Sequence, residues 1–471
     1  MTDLAEERAA QEIWRARSRG GDLSPFDRFL ENEFSSPEEQ RARVSRALAD
    51  MFRFAAREVP YYREALRFSV ANPDGLETLS SLNILSKHDV QSQAAALCAR
   101  NLPPDQQLAP PTSSSGTTGR RTIVQRSTAV LSSLTYQKQR EYRWFRFDPA
   151  GRLAYIRFAQ DLAPKSDGEF VRDGEAVSQE GWPFVGQYFT TGPHFGFGVT
   201  NPVEHRIEFL RALKPDYLMT YPEILEQMTF AVGDERPSES LKGLVSIAEQ
   251  VTPAMRRRIE KSFAAPLREN YGLNEIGLVA AQCEAGRLHV HTEHCWVEIV
   301  DESGVAVGPG EVGRLLVSSL NNRAMPLFRY DTGDLAMAAK STCPCGRTLP
   351  SFENIVGRYS RIAYLTAGTL TLVSILRDKV DSLDASVLSG FRLFQIHQSR
   401  DGNFEMRIVS DDPISQRLVQ ALAHAWKETP LSKGISLRIV RVENLVRSPG
   451  GKFQVFTSDF MPAPDEPQTG A

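Results

Sequence analysis

Apolar positions recur at helical spacing through the first part of the chain. Val44, Leu48, Met51, Phe52 and Ala55 lie on one helical face behind Ser36-Pro37-Glu38-Glu39. That tetrad puts a capping serine, a first-turn proline and a glutamate three residues after the cap at the start of a helix that Pro60 ends. From about residue 105 to 355 the pattern changes to short apolar runs, Leu153 to Phe158, Tyr217 to Thr220, Leu244 to Ala248 and Leu315 to Ser319, with helical stretches between several of them. This alternation predicts an α/β domain with substantial sheet. Beyond about residue 363, Phe391 to His397 and Phe404 to Val409 flank a turn at Arg400-Asp401-Gly402-Asn403. A helix carrying Leu418, Leu422 and Trp426 follows, and Ile435 to Val442 is strand-like. These elements predict a smaller α+β unit. The tail after Met461 is expected to be disordered.

At 471 residues the chain has room for two or three domains with a sizeable core. Its 41% hydrophobic and 24% charged residues exclude fibrous, low-complexity and largely disordered classes. The formal net charge of −3 gives no global electrostatic reason to expect nucleic acid or an anionic membrane as partner. Five cysteines are too few for a disulfide-stapled fold and point to a reducing compartment. The N-terminus is charged from the start and no window is apolar enough to span a bilayer, so a soluble cytoplasmic protein is expected.

The sharpest local feature is Thr112-Ser113-Ser114-Ser115-Gly116-Thr117-Thr118-Gly119-Arg120-Arg121. Glycines let backbone amides wrap an anion, hydroxyls add donors without bulk and the arginines add charge, which suits nucleotide phosphates. A flexible Ser/Thr/Gly linker would have the same composition. The loop lacks the GK[ST] ending of a Walker motif.

Other segments break the tie. Asn270-Tyr271-Gly272-Leu273-Asn274-Glu275 is similar to a (D/N)YGxTE motif and Arg329-Tyr330-Asp331-Thr332-Gly333-Asp334 to RYRTGD. Val59-Pro60-Tyr61-Tyr62-Arg63, Cys343-Pro344-Cys345-Gly346-Arg347, Val356-Gly357-Arg358 and Pro449-Gly450-Gly451-Lys452 complete an ordered set from about residue 50 to 455. In these motifs and their order the chain resembles the adenylate-forming superfamily, in its phenylacetate-CoA ligase-like branch.

The resemblance implies a large N-terminal adenylation domain over 1–357, with a helical extension over 1–100 and nucleotide and acid binding over 105–357. A hinge at 358–362 and a small mobile C-terminal lid over 363–471 would follow. It implies ATP-dependent activation of a small, aromatic carboxylic acid as acyl-adenylate, followed by transfer to CoA. Ser115, Gly116, Thr117, Thr118 and Gly119 would hold the phosphates. Asn270 would read the adenine amino edge beside Ala248 and Glu249, and Tyr271, with Gly272 next to it, would stack on the base. Asp334 would hold the ribose hydroxyls with Arg358 nearby. Glu275 would hold Mg²⁺, a hard cation that prefers oxygen. Lys452, with Glu275 and Thr117, would act in catalysis, the lysine contacting both the carboxylate and the α-phosphate.

Cys283, His289, Cys343 and Cys345 make a Cys₃His set suited to tetrahedral zinc with no open position, hence structural. The alternative is ordinary reduced cysteines; His291, His294 and Cys295 compete as ligands. An acyl pocket is expected from aromatics in 184–197 and 217–221, namely Tyr188, Phe189, Phe195 and Tyr221.

The chain departs from the resembled pattern at Gly357-Arg358-Tyr359-Ser360-Arg361, where hinge carboxylates are missing, and at Asp331, which replaces an arginine. The altered hinge leaves the acceptor open between CoA and a carrier-protein phosphopantetheine, an amine or another small nucleophile. A non-catalytic nucleotide-binding homologue is the remaining alternative. Expected partners are thus the acid, ATP and CoA, with a carrier protein and a homodimer left open, and neither nucleic acid nor membrane.

Overall fold

The computed structural model describes residues 4–66, 74–114, 122–165, 167–248, 251–359, 369–381, 383, 387, 391–445 and 454–460. Compactness divides the chain into two units. One comprises Met1–Arg43, Thr128–His294 and Thr342–Ser351; the other comprises Val44–Ser127, Cys295–Ser341 and Phe352–Ala471.

The first unit is built on a mixed sheet. Its centre is a parallel set in the order Leu267–Leu273, Gly243–Ser246, Tyr217–Thr220, Leu153–Arg157 and His194–Gly198. Antiparallel strands extend it, Ala176–Gln179 at one side and Gly277–Gln282 then Leu288–Val290 at the other. The central strands are buried on both faces, which is why the sequence shows them as unbroken apolar runs. Successive side chains point to opposite faces. Ala154, Ile156, Leu218 and Leu244 therefore pack with Leu210, Leu225, Ile259 and Phe263 of three crossover helices. Leu153, Tyr155, Tyr217 and Val245 face an aromatic cluster of Trp14, Phe26, Tyr142, Trp144, Trp182 and Phe189. That second face is covered by helices Leu4–Arg15, Ser24–Asn32 and Thr128–Trp144.

The helix predicted from Ser36 runs over Pro37–Glu58. Its cap is reciprocal: the Glu39 amide donates to Ser36 Oγ at 3.2 Å and the Ser36 amide to Glu39 Oε2 at 2.8 Å. Val44, Leu48, Met51, Phe52 and Ala55 are all buried, as their spacing requires.

The second unit carries antiparallel strands Cys295–Val300, Val312–Ser319, Tyr330–Ala338 and Ser351–Arg358, and a hairpin of Leu108–Ser114 with Thr122–Ser127. The smaller C-terminal sheet is present in the order Leu437–Arg441, Phe404–Ser410, Phe391–Gln398, Phe456–Ser458, with helices Thr369–Asp381 and Gln416–Lys427 against it. Its core does not stop at residue 363. Leu370, Leu376, Phe394, Met406 and Leu422 share one buried cluster with Val312, Leu335, Met337 and Val356, so compactness breaks the chain elsewhere than at 357. The expected disordered tail lies outside the described residues.

Candidate active site and metal centre

Two antiparallel strands deliver the Ser/Thr/Gly loop. Ser114 pairs with Thr122 at the near ends of these strands. Asn322 braces the base: Ser127 N donates to its Oδ1 at 3.1 Å, and its Nδ2 donates to the Gln125 carbonyl at 2.9 Å. Ser115, Gly116, Thr117, Thr118 and Gly119 themselves lie outside the described residues, as do Glu249 and Lys452.

Asn270, Tyr271 and Gly272 sit on Leu267–Leu273, where a bulge at Tyr271/Gly272 interrupts the pairing with Gly277–Gln282. Glu275 follows in the connecting turn and is largely buried. Gly277, at φ 110°, closes that turn. His294 Nε2 donates to the Ile276 carbonyl at 2.9 Å, which makes it a brace of the same turn. Ala248, at φ 67°, turns the chain just past Gly243–Ser246. All of these belong to the first unit.

Asp334 and Arg358 belong to the second unit and face each other across paired strands, with Arg358 Nε 2.9 Å from Asp334 Oδ1. Asp334 is buried, and its amide donates to Thr332 Oγ1 at 3.0 Å. Val455 N donates to the Arg358 carbonyl at 2.6 Å, so the chain just past Lys452 is bonded to this arginine's backbone. Arg329, the first residue of the motif, is architectural: at φ 48° it donates to the carbonyls of Leu82 and Gly304, each at 2.9 Å.

The two departures noted in the sequence are partners. Tyr359 OH donates to Asp331 Oδ2 at 2.5 Å and Arg314 Nη2 donates to the same oxygen at 2.7 Å. Asp331 thus grips the residue that follows Arg358, where an arginine would meet Arg314 with like charge.

The four cysteine and histidine candidates converge in the first unit. Their ligand atoms lie within 4.8 Å of one another and all four residues are buried. Cys283 Sγ is 3.6 Å from Cys343 Sγ and Cys345 Sγ is 3.4 Å from His289 Nε2. A zinc tetrahedron with bonds of about 2.3 Å to sulfur has S···S edges of about 3.8 Å, so the set fits the ion. His289 Nδ1 donates to the Leu349 carbonyl at 3.0 Å, which leaves the Nε2 lone pair for metal. Hydrogen bonding among the sulfurs pushes the Cys283 thiol up and the Cys345 thiol down. A dication would let all three be thiolates. His291 and Cys295 lie outside this set.

Sequence reasoning missed what stands behind the centre. Arg347 N donates to Cys345 Sγ at 3.4 Å, and its guanidinium donates to Glu7 Oε1 at 2.6 Å, to Glu284 Oε2 at 2.6 Å and to Glu33 Oε2 at 3.3 Å. Arg143 pairs with Glu7 and Glu33, and Arg140 bridges Glu33 and Glu293. The only sequence signal was Arg347's place after the C-x-C.

Of the acyl-pocket candidates, Tyr188, Phe189 and Tyr221 lie with the aromatic cluster on one face of the sheet and Phe195 on the other. Phe189 is fully buried, its ring 5.3 Å from Trp14 and 5.0 Å from Phe26, so it is core and not a pocket wall. Phe195 packs with the cluster on the other face of the sheet, under Arg152. Tyr188 leans on Phe26, and Tyr221 on Phe158 with its hydroxyl 3.4 Å from Asp161 Oδ2. Aromatic density announces core as readily as a pocket, and strand alternation separates Phe195 from Tyr221.

Comparison with known proteins agrees with this layout. The AMP-binding enzyme family pattern matches residues 189–323. Phenylacetate-coenzyme A ligase of Thermus thermophilus is 25% identical over 88% of this chain and 96% of its own length. The Escherichia coli protein of that name is 27% identical over 69% of this chain and 72% of its own. An open-state crystal structure of 2-hydroxyisobutyryl-CoA ligase superposes with a TM-score of 0.64 at 16% identity, covering 88% of this chain and 91% of that one. In sequence the chain is similar to AMP-binding enzymes, and in fold to a structurally known acyl-CoA ligase. The curated relatives it resembles over most of its length are phenylacetate-coenzyme A ligases. Among the described residues no helix is long and apolar enough to cross a membrane.

Proposed function

We propose that the protein activates a small carboxylic acid with ATP, forming an acyl-adenylate and pyrophosphate, and then passes the acyl group to the thiol of CoA. The observation that carries this is the buried Asp334 carboxylate held by Arg358 across paired strands, an acceptor fixed in place for two ribose hydroxyls. In the first step a carboxylate oxygen attacks the α-phosphorus and the bond to pyrophosphate breaks. In the second the thiol sulfur attacks the acyl carbonyl, AMP leaves and the thiol proton is released.

The protein's part in the first step is positioning and charge neutralisation. Ser115 to Gly119 hold the phosphates, Asn270 reads the adenine, Tyr271 stacks on it, and Lys452 stabilises charge on the carboxylate and α-phosphate. Glu275 would hold Mg²⁺, which supplies further neutralisation of phosphate charge. Cys283, His289, Cys343 and Cys345 would hold zinc with no open position, so zinc supplies structure and no chemistry. The altered hinge, where Tyr359 OH donates to Asp331 Oδ2, motivates a second reading with the same adenylation chemistry, in which the acceptor is a carrier-protein phosphopantetheine, an amine or another small nucleophile.

ATP–pyrophosphate exchange across a panel of acids tests the first step, and mass analysis with CoA or loaded carrier protein tests the second. Lys452→Ala is expected to lower exchange by roughly 10²–10³-fold. Exchange that no acid stimulates, or that the substitution leaves unchanged, overturns the proposal.

A further inference from the structure

Helix Thr128–Trp144 carries one buried carboxylate that the proposed function has not used. Glu141 is fully buried, and its Oε2 accepts from Lys138 Nζ at 2.7 Å and from Asn270 Nδ2 at 3.4 Å. Its Oε1 has no hydrogen-bond partner and faces His291 Nε2 at 4.0 Å. Arg140 Nη1 lies 3.3 Å from His291 Nδ1; an arginine can only donate, so Nδ1 accepts and the ring hydrogen sits on Nε2, toward Glu141. Every polar group around this carboxylate is therefore a donor. Burial pushes the Glu141 carboxyl up, and the Lys138 ammonium works against that.

We propose that Glu141 is a positioning residue that fixes the side-chain amide of Asn270 so that its oxygen, and not its nitrogen, is presented to the nucleotide base. An amide left to itself can rotate its two ends into each other's places at little cost. A carboxylate accepts and cannot donate, so the end of Asn270 turned toward Glu141 must be Nδ2. Oδ1 is then turned the other way on a half-buried strand residue. A 6-amino purine offers a donor there and matches the oxygen; a 6-oxo purine offers an acceptor and meets it lone pair to lone pair. Choice of base is in this way set from inside the helix, one residue removed from the ligand. The inference rests on the adenine-reading role of Asn270.

The test is the ratio of kcat/KM for ATP to that for inosine triphosphate in acid-dependent pyrophosphate exchange by the full chain. The parent protein is expected to favour ATP. In Glu141→Gln the neighbour of Asn270 can donate or accept, so the amide can turn, and the ratio is expected to fall by about tenfold, carried by KM more than by kcat. Glu141→Gln leaves Lys138 without its counter-charge; if that variant does not fold, the neutral pair Lys138→Gln/Glu141→Gln takes the same measurement. Asn270→Ala separates the two layers. If it leaves the ratio at the parental value, Asn270 does not read the base and the adenine-reading role on which the inference rests fails. If Asn270→Ala collapses the ratio while the Glu141 variants keep it, the positioning role is overturned.

Discussion

His194 shows how a single residue can be set against its own chemistry. It begins the strand His194–Gly198, is 1% exposed, and packs edge-on to Tyr155 at 4.4 Å with neither ring nitrogen hydrogen-bonded. Burial alone pushes its pKa from 6.5 down to about 4. Below pH 6.5 the unfolded chain takes up a proton that the folded one refuses until about pH 4. Stability is therefore lost as pH falls through that window, at up to ~1.4 kcal/mol per pH unit. His194→Phe keeps the ring and removes the titration, so its urea midpoint should fall less steeply with acid than that of the parent protein. Equal slopes would mean that His194 is not held neutral. In the sequence this histidine sits in an aromatic stretch that looked like a binding pocket, and nothing in spacing tells a pocket wall from a core ring. The same ambiguity misplaced Phe189, which lies between Trp14 and Phe26.

Among elements, those whose residues answer only to near neighbours were legible. The helix behind Ser36 closed its capping box as drawn, and the strands over 153–157 and 217–220 appeared where unbroken apolar runs stood. The turn at 400–403 joins the two strands expected around it. Helix Thr128–Trp144 was not legible, because Lys138, Arg140, Glu141 and Arg143 look like a solvated face. All four are buried: Arg140 and Arg143 meet acids from distant parts of the chain, and Lys138 pairs with Glu141. The C-x-C segment falls between these cases: ligand types were readable and the fourth corner was fixed only by the register of Leu288–Val290 on Gly277–Gln282. Elemental analysis of the purified protein should find about one zinc per chain. Cys345→Ser should lose the metal and lower the unfolding midpoint, while Cys98→Ser, outside the cluster, should do neither. Protein without near-stoichiometric zinc would refute the centre.

At the scale of the whole molecule each compact unit is assembled from three separate stretches of chain. Neither can be cut out as a continuous piece, and in the first unit buried charges join the stretches alongside the aromatic cluster. Arg347 on the shortest stretch meets Glu7 and Glu33 on the earliest, while Arg140 and Arg143 supply the middle one. Removing one member of such a buried network leaves the others charged and uncompensated, which costs far more than a surface pair would. Arg347→Met is expected to destabilise the protein by about 3–5 kcal/mol in urea unfolding. A change under about 1 kcal/mol would show that the acids are satisfied without it. No sequence window could display this network, because its members are hundreds of residues apart.

That separation also sets a timetable. Glu7 and Arg347 are 340 residues apart, and a ribosome adding about 5–20 residues per second makes the first of them roughly 17–70 s before the second. Arg140 and Arg143 are made well before Arg347, so for much of that interval Glu7 and Glu33 have part of their positive charge within reach and lack the last of it. The arginine beside the C-x-C knuckle is the late-arriving part that lets the beginning of the protein settle onto its end.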